Sequence, residues 1–146
     1  MILIQSLAHH YASRPAGVRI VELPMSAEDR RRVRRRIEAP DGEIFALELP
    51  TGTVLHPGQV LHELIDRAYV VAAAPEDVLL VRPRDLREAA HVGHMIGNLH
   101  RDIDLQDAGI VALWDDVLME RLRRAGVPAE RTRLPFRGSA PGEHKH

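Results

Sequence analysis

The first half of the chain alternates short apolar runs with turn residues, a pattern typical of strands. MILIQSL, VRIVELP and AYVVAAA are rich in aliphatic and β-branched residues. RVRRRIEAPDGEIFALELP has Asp41-Gly42 between two strand-like runs, which indicates a hairpin. A single short helix is predicted in SAEDRRR, where Ser26 can cap the first turn. Residues 1–73 are therefore predicted to form an all-β domain.

The second half begins with one strand and one amphipathic helix. VLLVRP is a continuous apolar run that predicts a buried strand. From Arg84 onward, apolar and small residues recur at helical spacing, with Asp85 near the start and Gly97-Asn98 near the end. The predicted apolar face of this helix consists of Leu86, Ala89, Ala90, Gly93, Ile96 and Gly97.

Two more strands, a second helix and a final strand follow. DIDLQDAGIVALW divides into two strand-like runs, VLMERLRRAGVP is the clearest helix in the chain, and RTRLPF predicts the last strand. This order, βαββαβ, is that of a ferredoxin-like domain, predicted for residues 74–137 in an α+β chain. Residues 138–146, GSAPGEHKH, lack an apolar pattern and are predicted to form a flexible tail. The predicted apolar stripe of the second helix consists of Val117, Leu118, Leu122 and Ala125.

Composition narrows the chemistry that these elements can perform. The formal net charge of -1 provides no basic field for nucleic acid, and the arginines of DRRRVRRR fit the solvated face of a strand. No run reaches the roughly 20 apolar residues of a membrane span, and the start of the chain lacks the features of a signal peptide. We therefore expect a cytoplasmic protein that binds neither nucleic acid nor membrane. Because the chain has no cysteine, metal binding would require His, Asp or Glu.

The stretch AAHVGHMIGNLHRDI contains three of the nine histidines. His91 and His94 lie three apart on a predicted helix, where they could chelate a metal or simply be solvated. His94 and His100 lie six apart, so one straight helix cannot direct both toward one ion. Gly97-Asn98 indicates that the helix ends before His100, which leaves this residue in an exposed and defined place.

The end of the chain carries a second candidate pair. His144 and His146 flank Lys145, and alternate residues of an extended segment point the same way, so both rings could reach one ion. A flexible tether of about eight residues, from Phe136 to His144, has a root-mean-square span of roughly 15 Å, enough to fold back onto the globular part. The tail histidines could therefore form a composite site with His100. The alternative is that two histidines stand at the C-terminus by chance.

Several segments together resemble one known family. HMIGNLH resembles the GN-x-H signature of the UreE family, the urease accessory nickel chaperones, which are not enzymes. ALELPTGTVLHPGQVL is similar to that family's LxLPxGxxLxxGDxL stretch, and LPF followed by a His-bearing tail also matches. The resemblance spans essentially the whole chain. Two departures are Leu99, where the family often has Arg, and Gln59, where it usually has Asp.

The resemblance implies both an architecture and a metal site. It implies an N-terminal β domain of the peptide-binding type and a homodimer formed through the second domain. It also implies that His100 of both chains shares one Ni(II), with His144 and His146 as further ligands and Zn(II) or Cu(II) as competitors. The implied partners are the urease accessory GTPase and the urease apoprotein. Because free imidazole has a pKa near 6.5, metal binding should weaken below about pH 6.

Two other functions remain open from the residues alone. A metal-dependent hydrolase using His91, His94 and an Asp would need three fixed ligands and an open position for water. A protein-interaction module would make the histidines incidental.

Asp115-Asp116 stands where some family members carry a His pair, so a second site there would have carboxylates only. Surface or turn positions are expected for the remaining histidines, His9, His10, His56 and His62.

Overall fold

The computed structural model describes residues 1–7 and 17–142 of a mixed α+β chain built mostly from sheets. The chain divides into two compact units, Met1–Ala73 and Ala74–His146. No helix in the described ranges is long and apolar enough to cross a membrane. The first unit contains β1 (Ile2–Ile4), β2 (Arg19–Met25), α1 (Ala27–Arg30), β3 (Arg34–Glu38), β4 (Ile44–Glu48), β5 (Val60–Glu63) and β6 (Arg67–Ala73). The second contains β7 (Pro75–Val81), α2 (Leu86–Asn98), β8 (Asp104–Gln106), β9 (Gly109–Leu113), α3 (Asp116–Arg124) and β10 (Glu130–Pro135).

The first unit consists of two three-stranded sheets with a shared aliphatic core. Their strand orders are β1-β4-β3 and β2-β6-β5, in which β1 pairs with β4 and β2 with β6 in parallel. The predicted hairpin is β3–β4, and Gly42 adopts φ 90° in its turn, a backbone conformation that glycine tolerates best. The predicted short helix is α1, where the Ser26 hydroxyl accepts the N–H of Asp29 at 3.0 Å. Both local predictions are therefore confirmed.

The turn of this hairpin is tied to the second sheet by one carboxylate. Asp41 Oδ2 accepts the hydroxyl of Tyr69 at 2.7 Å and Arg67 Nη1 at 2.8 Å. The Tyr69 side chain on β6 is fully buried, and its ring packs edge-on against Phe45 at 4.8 Å between centroids. The Tyr69 hydrogen bond, aided by Arg67, holds the pKa of the Asp41 carboxyl below its ordinary 3.8. Burial raises the pKa of the Tyr69 hydroxyl, so the neutral donor is favoured.

The second unit packs two helices on one antiparallel sheet. Its strand order is β10-β7-β9-β8, and every neighbouring pair is antiparallel. Asp85 and Asp115 cap α2 and α3, because their side chains accept the N–H groups of Glu88 and Leu118 at 2.8 Å each. The order of elements is the predicted one. The buried core between helices and sheet consists of Leu79, Val81, Val92, Ile96, Ile110, Ala112, Leu118, Leu122 and Val127.

The predicted apolar face of α2 was only partly right. The helix buries Val92 and Ile96, whereas Leu86 is 86% exposed. At 100° per residue, the buried face is rotated by about 90° from the predicted one. The prediction gave alanine and glycine the same weight as larger residues, although Val92 and Ile96 remove far more apolar area from water.

The predicted stripe of α3 is also corrected in part. Leu118 and Leu122 are buried as expected. Val117 is 60% exposed because it lies 100° from Leu118 around the helix axis. Ala125 is exposed because the helix ends at Arg124, before this residue completes the stripe.

We expect Tyr69→Phe to lower the melting temperature of the first unit by roughly 4–8 °C at pH 7, because Asp41 loses a hydrogen bond that Arg67 alone does not replace. A carboxyl with a depressed pKa stabilises the fold above its unfolded pKa, and this stabilisation is lost as the pH falls through the folded pKa. The difference between wild type and variant should therefore shrink below about pH 3.8. Thermal melts across pH, with Asp41→Asn and the double variant completing the cycle, would measure it. Equal destabilisation at pH 7 and pH 3 would contradict this account.

Candidate metal site

The C-terminal end of α2 fixes the backbone of His100. The helix ends at Asn98, and two hydrogen bonds close it: His100 N–H to Gly97 O at 2.9 Å and Arg101 N–H to Ile96 O at 3.3 Å. His100 adopts φ 56°, in the left-handed region. This pair of bonds around a left-handed residue is the Schellman motif, and His100 occupies its C′ position. The predicted helix end is confirmed, and His100 lies outside the helix, exposed to solvent.

Glycine is the residue that this position ordinarily favours. Among the described residues, His100 is the only non-glycine with a positive φ. For a residue with a Cβ, the left-handed conformation costs about 1–2 kcal/mol, although His is tolerated there better than most. Such strain persists where the surrounding structure overdetermines it, and it concentrates at functional sites. The conformation of His100 therefore supports a functional hypothesis for its side chain.

The residues on either side of His100 hold the turn in place. Leu99 packs against the core of the second unit. Arg101 Nη2 donates to Asp115 Oδ2 at 2.6 Å, and the two side chains are 32% and 18% exposed. Because Asp115 also caps α3, this ion pair connects the end of α2 to the start of α3. The turn that carries His100 is thus supported by two helices.

The other candidate ligands differ in what the structure describes. His91 and His94 lie on α2 and are exposed, as predicted for a helix surface. His144 and His146 lie outside the described residues, so their predicted role is not tested. Within the ranges 1–7 and 17–142, no three His, Asp or Glu side chains are grouped as a metal site.

The remaining histidines divide between the first unit and undescribed positions. His56 is exposed in a loop, and its backbone N–H donates to Gln59 Oε1 at 3.1 Å. The expected surface or turn position is wrong for His62, which lies within β5 and is partly buried because its ring packs 5.9 Å from the Phe45 ring centroid. Predictions for His9 and His10 fall outside the described residues.

The two carboxylates considered for a second site both accept hydrogen bonds. Asp115 binds Arg101 and the Leu118 N–H, whereas Asp116 Oδ1 accepts Trp114 Nε1 at 3.1 Å. Arg131 stacks on the Trp114 ring at 4.1 Å from its centroid. The paired guanidinium of Arg131 holds the pKa of the Asp77 carboxyl below its ordinary value. These acids and their partners form a structural network that connects α3, β7 and β10.

The chain beyond β10 returns to the segment that follows His100. Asp102 Oδ2 accepts the N–H of Ser139 at 2.7 Å, and Asp104 Oδ2 accepts the N–H of Arg137 at 3.1 Å. Ala140 is 1% exposed. The predicted flexibility from residue 138 is therefore not confirmed for 138–140. Sequence reasoning missed both acids; the available signal was a pair of carboxylates directly after the GN-x-H turn.

Comparisons with known proteins give a consistent result. The family model "UreE urease accessory protein, N-terminal domain" matches residues 4–74, and "UreE urease accessory protein, C-terminal domain" matches residues 76–146. A "Urease accessory protein UreE" of Synechococcus sp. (strain JA-3-3Ab) is 51% identical over 132 residues, covering 90% of this chain and 89% of the relative. Its namesake in Deinococcus radiodurans is 53% identical over 126 residues, covering 86% and 81%. A third, in Corynebacterium efficiens, is 34% identical over 117 residues, covering 77% and 76%.

We expect glycine and alanine substitutions to have opposite orders of stability at His100 and at His94. At position 100, His→Gly should be more stable than His→Ala by about 1 kcal/mol, because only glycine adopts the left-handed region freely. At position 94, inside α2, His→Ala should be more stable than His→Gly by about 1 kcal/mol. Denaturant unfolding of the four variants measures both differences. The same rank order at both positions would show that His100 is not held in the left-handed conformation in solution.

Proposed function

The chain belongs to the UreE family of urease accessory proteins, and on that premise we propose that it carries Ni(II) for assembly of the urease active site. Membership supports a role in urease maturation. The family consists of accessory chaperones and not of enzymes, so the alternative of a hydrolase built on His91 and His94 is wrong. Its members are metal-binding proteins, and the identity of the metal is our inference.

The geometry of His100 is the observation that most supports this site. Its backbone is fixed by two hydrogen bonds in a conformation that disfavours any side chain, and its side chain is exposed. Imidazole is a good ligand for Ni(II), which binds such sites more tightly than Mn(II), Fe(II) or Co(II) and less tightly than Cu(II). An exposed imidazole carried on a fixed backbone suits capture of a metal ion better than a role in packing.

We propose that the remaining ligands come from a second copy of the chain and from the tail. Ni(II) in square-planar or tetragonal sites takes roughly 4–6 donors. His100, His144 and His146 from two chains together provide six imidazole rings, three from each chain. Such a set needs no thiolate, in agreement with a chain that has no cysteine. Zn(II) and Cu(II) bind the same ligands, so selectivity would come from geometry, metal supply and the receiving partner.

We also infer the roles of the two units. The element order and the sheet order β10-β7-β9-β8 support a ferredoxin-like arrangement for residues 74–137 as the metal-binding domain. The sheets of residues 1–73 would serve as the peptide-binding-type domain. The proposed partners are the urease accessory GTPase and the urease apoprotein in the cytoplasm. Transfer would proceed by ligand exchange, in which donors of the partner replace the imidazoles one at a time.

Removal of the His100 ring should weaken Ni(II) binding at the proposed interface site. We expect His100→Gly to weaken Ni(II) binding to the dimer by at least about tenfold, the size of effect that loss of even an outer ligand partner can have. Glycine removes the ring without straining the turn. Isothermal calorimetry measures the affinity, and His94→Ala, also an exposed histidine, is the matched control. Unchanged affinity in His100→Gly would refute the site, and no stoichiometric nickel in wild type would favour an interaction module.

Removal of the tail histidines should weaken binding and leave the fold intact. We expect a chain that ends at Gly142 to bind Ni(II) roughly tenfold more weakly, because two imidazoles from each chain are lost. The melting temperature should stay unchanged. His144→Ala with His146→Ala in the full chain is the matched control for loss of the ligands alone. A truncated dimer with wild-type affinity would exclude both residues from the site.

A further inference from the structure

The last described residues of the chain are held against the segment that follows His100. Besides the bonds from Ser139 and Arg137 to Asp102 and Asp104, Gln106 Nε2 donates to Pro135 O at 2.6 Å and to Asp104 Oδ2 at 2.8 Å. Three polar side chains between positions 102 and 106 therefore follow the path of the backbone from 135 to 139. The final strand is thus followed by an irregular segment that side chains between positions 102 and 106 hold.

A steric constraint selects the same path. A Cβ on Gly138 would lie 2.6 Å from Phe136 Cζ and 2.8 Å from Asp102 Oδ2. The Phe136 ring is 1% exposed and so has little room to move. Gly138 is required here by close approach rather than by an unusual φ. A larger residue would force the backbone at 138–139 away from Asp102.

This attachment lies close to His100 along the chain. Asp102 is two residues beyond His100, so the two Cα atoms are within about 7 Å of each other. From Ser139 to His144 there are five residues, which reach at most about 18 Å when fully extended. The attachment therefore keeps the tail histidines within reach of the ring whose role we propose above.

Both oxygens of Asp102 are engaged by the protein. Oδ2 accepts the Ser139 N–H, and Oδ1 accepts the Ile103 N–H at 3.1 Å. The side chain is thus suited to holding backbone in place rather than to serving as one more metal ligand. Two other residues help to hold this segment. Asp104 accepts the Arg137 N–H, and Gly138 leaves the space that the contact between Asp102 and Ser139 needs.

We propose that Asp102 is a positioning residue for metal binding: it fastens the start of the C-terminal segment beside His100 and so raises the local concentration of His144 and His146 at the metal. This inference rests on the proposed function. Loss of the Asp102 contact would leave the chain held at Arg137 by Asp104, which lengthens the tether to His144 from five residues to seven. Because local concentration falls with about the −3/2 power of tether length, each tail would lose about 1.7-fold and a dimer about threefold.

The test compares Asp102→Ala in the full chain and in the chain that ends at Gly142. Calorimetry with Ni(II) should show binding about threefold weaker than wild type in the full chain, and no difference in the truncated chain, where no tail histidine remains to be positioned. Gly138→Ala should reproduce this result by a different route. The matched control is Asp107→Ala, which removes a carboxylate from the β8–β9 turn and should leave binding unchanged in both backgrounds.

A second readout requires no metal. Hydrogen exchange of the Ser139 amide should be slow in wild type and in Asp107→Ala, and fast in Asp102→Ala and Gly138→Ala, provided that thermal melts show folded protein. Equal weakening of nickel binding in the full and truncated chains would mean that Asp102 acts on His100 itself, and would overturn the proposal. Wild-type affinity or wild-type exchange in Asp102→Ala would also overturn it. The proposed function fails separately, if His100→Gly or tail removal leaves nickel binding unchanged.

Discussion

The left-handed backbone of His100 is the constraint on which the geometry of the candidate site depends. A helix that continued past Asn98 would place this residue on the surface of α2, on a different face from His94. The two Schellman hydrogen bonds instead turn the chain at His100, so the next residues lead into Asp102 and β8. The same turn presents the ring to solvent and brings the following carboxylates to the end of β10. His100 thus carries the candidate ligand and also directs the chain toward the carboxylates that hold the start of the tail.

Such a turn persists because its surroundings stabilise it. Ile96 and Leu99 belong to or pack against the apolar core, so rotation of the last helical turn would expose apolar area. The Arg101–Asp115 pair restrains the outgoing chain, and Asp115 would lose part of its network if the turn opened. The strain of about 1–2 kcal/mol at His100 is offset by burial of the Ile96 side chain, which contributes about 1.5–3 kcal/mol. The neighbours of His100 therefore stabilise the turn.

The sequence predicted local structure better than it predicted long-range contacts. Ser26, Asp85, Asp41-Gly42 and Gly97-Asn98 act on backbone within a few residues, and each marks the element boundary that it predicted. The helix faces were less accurate, because pattern alone did not weigh the size of a side chain such as Val92 against the glycines. No periodic signal links Asp102 to Ser139, which are far apart in the chain, so the attachment of the tail became visible only in the structure. The family assignment came from separate motifs in the right order, which carry more information than periodicity.

A carrier must hold its ion firmly enough to collect it and must still release it to a partner. Ligands of one kind, all fixed rigidly, would make the complex tight and its exchange slow. In the proposed arrangement one imidazole per chain is carried on backbone that two hydrogen bonds fix, while the others depend on a tether whose starting point is held and whose length sets their local concentration. The tethered imidazoles can leave first without any change in the fold, because the attachment at Asp102 does not involve the metal. Stepwise replacement by the donors of a partner then requires loss of one ligand at a time, and selectivity can reside in the partner as much as in the carrier.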